Sequence, residues 1–172
     1  MRLAFFQRDA DVLYRLVPFV SCVAATILSV VPLRVPGLAG AAPACALMAI
    51  YHWTIYRPDL LSPSAVFVIG LALDLLDGTS YVGVSSLIFL IARGLVLMAR
   101  PRLANQAFPL VWAGFLVLTG IAMALEWLFV GVLVGVALDP RPFLFHALAT
   151  VAVFPVASYV LAQLQRGFLA RV

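Results

Sequence analysis

An all-α fold, six transmembrane helices bundled into one membrane domain over residues 1–172, is what this sequence predicts, and three observations predict it. Hydrophobic residues make up 65% of the chain and charged residues only 10%, for a mean hydropathy of +1.14, well outside the usual range of soluble domains. The apolar sequence falls into six runs separated by short polar or Pro/Gly-rich breaks, which leaves no room for a soluble domain or a long linker. The net charge of +4 comes from eleven arginines and no lysines against seven acids, and its uneven placement reports orientation rather than nucleic-acid binding.

The first run, about 12 to 32, follows Arg2 and Arg8 as the core of a signal peptide would, but Pro18 interrupts it and further runs follow, so it reads as a retained helix. The second, about 38 to 56, contains Pro43, which should kink it. Arg57-Pro58-Asp59 turns the chain, and Ser62-Pro63 supplies an N-cap and a first-turn proline for the third run, about 62 to 77. That run is short. It stops at Asp77-Gly78-Thr79-Ser80, where glycine permits the turn and the hydroxyls bond locally. The fourth run, about 83 to 99, contains Arg93. The fifth, about 108 to 135, exceeds the roughly 20 residues a crossing needs, so it tilts or passes the bilayer surface. The sixth, about 143 to 165, contains Pro155.

Short breaks make neighbours antiparallel. Alternation puts Arg2, Arg8, Arg15, Arg57, Arg100, Arg102, Arg166 and Arg171 on one side and Arg34 and Arg141 on the other. By the positive-inside rule the first side is cytoplasmic, and both termini are expected there.

Asp74, Arg93 and Glu126 are charged residues that fall well inside runs. A charged side chain at membrane depth costs roughly 2.5–3.5 kcal/mol on insertion scales and so faces protein or a watery cavity. Gly70, Asp74 and Gly78, four residues apart in turn, share one helical face that should pack closely. Two readings stay open. Asp74, Arg93 and Glu126 line an outer pocket that holds a ligand or passes protons, or Arg93 reaches up its flexible stem to form a structural ion pair with Asp74, while Glu126 meets interfacial water beside Trp127. Gly131 and Gly135 form a GxxxG suited to close helix contact, with a partner or within the bundle.

His52 and His146 fall near opposite sides, too far apart for one metal, and read as interface histidines; Cys22 and Cys45 read as small packing residues. There is no nucleophile elbow, HExxH, zinc spacing or phosphate-cradling glycine loop. No metal, cofactor or catalysis is expected.

The succession Arg57-Pro58-Asp59, Ser62-Pro63, Phe67-Val-Ile-Gly70-Leu-Ala-Leu-Asp74-Leu-Leu-Asp77-Gly78 and Gly83 resembles the MreD family, integral membrane components of the bacterial rod-shape system. The resemblance covers essentially the whole chain, with its specific part between Pro58 and Gly83. It implies a noncatalytic inner-membrane component of the cell elongation and peptidoglycan synthesis machinery. The implied partners are MreC, RodA with its penicillin-binding transpeptidase, and indirectly MreB, within membrane lipids. It also implies a fold similar to the substrate-binding subunits of energy-coupling-factor transporters, which keeps a small-molecule-binding subunit of a vitamin-type transporter as the alternative. The family pattern falls on Gly70, Asp74, Gly78 and Gly83; Arg93 and Glu126 come from the residue reading alone. Gly70, Gly78 and Asp74 together are expected to dock the transmembrane helix of MreC.

Overall fold

The computed structural model describes residues 2–30, 43–79, 81–136 and 138–169. Within them lie six α-helices: α1 (Arg2–Val30), α2 (Cys45–Tyr56), α3 (Pro63–Leu76), α4 (Val84–Leu103), α5 (Phe108–Val134) and α6 (Arg141–Leu169), with a 3-10 turn at Pro58–Leu60 between α2 and α3. Three of them, α4, α5 and α6, are long and apolar enough to cross a membrane. Arg34, Ser80, Arg171 and the start of the second run lie outside the described residues.

The helix ends follow local chemistry where a cap or stop exists. Ser62 caps α3, its hydroxyl accepting from the Ala65 N–H at 3.2 Å, with Pro63 in the first turn. Gly78 ends it at φ +64°. The Thr79 N–H then reaches back to the Asp74 carbonyl at 3.3 Å, closing a Schellman turn that only a residue tolerating positive φ makes cheaply. Pro43 corrects one expectation: it precedes α2 instead of kinking it. α1 begins ten residues ahead of its apolar run, because a helix satisfies its backbone internally whatever the polarity of its side chains.

Interhelical hydrogen bonds set the directions. Trp53 Nε1 donates to Ser21 Oγ and the Ala46 N–H to Ser29 Oγ, so α1 and α2 run antiparallel. Arg100 Nε donates to the Ile55 carbonyl, placing the end of α4 beside the end of α2. His52 pairs with Gln165, placing the end of α6 there too. One end of the bundle therefore gathers Arg57, Arg100, Arg102 and Arg166, and the opposite end holds Asp74, the start of α4 and the link from α5 to α6.

α2 is the core. Every residue from Ala46 to Ile55 is buried, as an all-round apolar helix requires. α1, α4 and α6 pack against it. Phe115 and Phe154 stack at 4.0 Å between centroids, with Tyr51 tilted against the first and edge-on to the second. The Tyr51 hydroxyl donates to the Val111 carbonyl at 2.7 Å, and Gly114 leaves it room, since a Cβ there would sit 2.8 Å from that oxygen. His52 is only 4% exposed. It is buried near the end of α2, where its ring is hydrogen-bonded to Gln165 of α6.

Candidate functional site

The pattern from Gly70 to Gly83 builds the hairpin of α3 and α4, the most extensive helix pairing in the fold. Gly70 meets the backbone of Ser86. A Cβ on Gly70 would lie within 2.6 Å of the Ser86 nitrogen, so any other residue would force the helices apart. Close approach lets the Ser86 hydroxyl donate to the Phe67 carbonyl at 3.0 Å. One turn further, Asp74 is 3% exposed and points at the start of α4. There Gly83, at φ +105°, occupies the N-cap position without a side chain to offer.

The first N–H groups of any helix lack intrahelical partners and carry the positive end of its dipole. At α4 the acceptor comes from α3: the Gly83 N–H donates to Asp74 Oδ2 at 2.6 Å and the Ser85 N–H to Asp74 Oδ1 at 3.3 Å. Asp74 thus performs the capping that Gly83 cannot. A carboxylate with two backbone donors in a buried site needs no cation to account for its presence.

Arg93 is not that cation. Its Nε donates to the carbonyl of Leu61 at 3.2 Å, toward the arginine-rich end. The expected ion pair is replaced by two separate backbone contacts. The reason is length: α3 has 14 residues and spans only about 21 Å, so Leu61 at its foot comes within reach of Arg93. Arg100, seven residues on and on the same face of α4, takes the Ile55 carbonyl at 3.0 Å. The two arginines thereby grip both ends of the link between α2 and α3, whose Leu61 side chain is fully buried.

A family model described as rod shape-determining protein MreD matches residues 10–164. The chain belongs to the MreD family. Its role therefore lies in rod shape determination, as a membrane component of a family known as structural rather than enzymatic. Among curated proteins and among solved structures nothing matches.

In this MreD-family chain the structure brings Gly70, Asp74, Gly78 and Gly83 together in one hairpin, with Asp77 exposed beside them as the α3 C-cap. Glu126, half-buried on α5, lies toward the same end. Arg93 stands apart. Gly131 is helical, but Gly135 lies beyond Val134 at φ +71° and ends α5, its N–H bonding the Gly131 carbonyl. The two glycines are therefore a helix terminus more than a continuous packing face. Of the docking surface expected from Gly70, Gly78 and Asp74, Gly70 and Asp74 are used within the chain, while Gly78 is exposed with open space beside it. Among the described residues no group of three His, Cys, Asp or Glu is placed to hold a metal ion.

Residue reading missed the contacts of Arg100, Tyr51, Gly114 and Ser29, and of Thr150, whose Oγ1 accepts from the Ala44 N–H at 3.0 Å. One signal for Asp74 was present: a helix opening at Gly83 has no capping side chain of its own, so an acceptor must come from a neighbour.

Proposed function

We propose that this MreD-family protein is a noncatalytic scaffold of the bacterial cell elongation machinery. It binds MreC and supports the peptidoglycan synthase, RodA with its penicillin-binding transpeptidase, and through them MreB. The whole chain forms one domain in the inner membrane. All six helices cross, in an arrangement like that of energy-coupling-factor substrate-binding subunits, with the arginine-rich end and both termini in the cytoplasm. The observation that supports the scaffold reading over a solute-binding one is the use of the family pattern: Gly70 and Asp74 fasten α3 to α4, and Gly78 and Gly83 turn the chain between them.

Contact with MreC then falls on a lipid-facing surface. The best suited is the groove of about 310 Å³ around Trp127, Leu128, Gly131 and Val132 near the end of α5. Gly131 there allows close approach of a second helix, the usual basis of docking where lipid removes the hydrophobic drive. A tagged chain purified from native membranes in mild detergent should retain MreC. Gly131→Leu should lower that recovery severalfold with little change in melting temperature, because a Cβ there would make only an ordinary van der Waals contact, 3.7 Å from the Val136 carbonyl oxygen. Undiminished recovery would remove this groove from the interface. Recovery of an ATPase pair with a coupling subunit in place of MreC would overturn the scaffold reading.

A further inference from the structure

A separate cavity of about 470 Å³ opens at the arginine-rich end between α2, α5 and α6. Phe108, Phe154 and Tyr159 give it an aromatic lining, Ser158 lies along it, and toward the mouth His52 and Gln165 are hydrogen-bonded at 3.2 Å beside exposed Arg166. The cavity owes its inner limit to Pro155. That residue has no N–H for the Val151 carbonyl, and Trp112 of α5 supplies the missing donor at 3.1 Å. α5 and α6 are pinned at that level and part below it.

From Phe154 to Arg166 the cavity follows α6 for about 18 Å, so it is elongated along the helix as an extended acyl chain is. Apolar walls graded toward a cation at the headgroup level match an amphiphile with an anionic head, and basic pockets between membrane helices on the cytoplasmic side are established binders of such heads.

We propose that this slot binds one anionic phospholipid from the leaflet on the arginine-rich side, its phosphate on Arg166 beside the His52–Gln165 pair and one acyl chain along Phe108, Phe154 and Tyr159. The full-length protein in detergent, titrated with phosphatidylglycerol or with phosphatidylcholine of the same chains and read by native mass spectrometry, tests it. Phosphatidylglycerol should bind about fivefold more tightly, the worth of one basic residue at a membrane surface. High salt should shrink the preference, because Arg166 is exposed. Arg166→Gln should abolish the preference, Arg166→Lys should keep it, and Arg141→Gln at the opposite end should leave it intact. Ala162→Phe, which narrows the slot, should reduce binding of both lipids. Equal affinity for the two lipids, a preference that survives Arg166→Gln, or competition by soluble glycerol phosphate at the same concentration as the lipid would overturn the proposal. So would a partner helix crosslinked to Tyr159 in native membranes.

Discussion

α2 and α5 solve opposite problems. α2 has 12 residues, about 18 Å of helix, and is enclosed by its neighbours. Its last residue, Tyr56, is exposed at the arginine-rich end, and the helix alone is shorter than the roughly 30 Å of a hydrocarbon core. Each end is satisfied from outside: the Ala44 N–H by Thr150 Oγ1 at 3.0 Å, the Ala46 N–H by Ser29 Oγ at 3.3 Å, and the Ile55 carbonyl by Arg100. α5, with 27 residues, reaches about 40 Å. It opens at Ala107 without a side-chain cap and closes on its own glycine. Where a helix is shorter than the layer around it, neighbouring helices complete its ends; where it is longer, water can. Asp74 completes the start of α4 from α3, and Arg100 the end of α2 from α4. The signs of these two agree with the helix dipole, an acid at an N-terminus and a cation at a C-terminus.

Breaking a cap supplied from another helix should therefore cost most. Asp74→Leu strands two buried donors at about 1–3 kcal/mol each, and a large drop in melting temperature in detergent is expected. Asp74→Asn retains one acceptor and should recover part of the loss, as Asn caps nearly as well as Asp. Gly70→Val should follow at about 1–3 kcal/mol, through overpacking against the Ser86 backbone. Arg100→Met keeps the stem and removes the donor to Ile55. A loss near 1 kcal/mol is expected, because the residue is only half-buried. The smallest effect has the other sign: Ala107→Ser gives α5 a cap it lacks and should stabilise by up to about 1 kcal/mol.

Much of the hairpin was legible in the sequence because its signals are local. Ser62-Pro63 and Gly78 mark the two ends of α3 by backbone chemistry alone, and Gly83 marks the start of α4. Hydropathy located α5 and α6 to within a few residues but began α1 late, since its first three turns contain Arg2, Arg8, Asp9 and Asp11. The partner of Arg93 was not legible. Two readings competed, both with Asp74, and what decided against them was the shortness of α3, which brings the Leu61 carbonyl to the level of Arg93. Gly114 was equally silent, because its reason is a hydroxyl on Tyr51, sixty-three positions earlier.

The most direct measurement is backbone amide hydrogen exchange across α3 and α4 in the wild type and Asp74→Ala. Loss of protection confined to residues 83–87, with no change near Leu61 and Arg93, is expected if Asp74 caps α4. Loss of protection centred on Arg93, with the amides of Gly83 and Ser85 as protected as before, would contradict it and restore the ion pair.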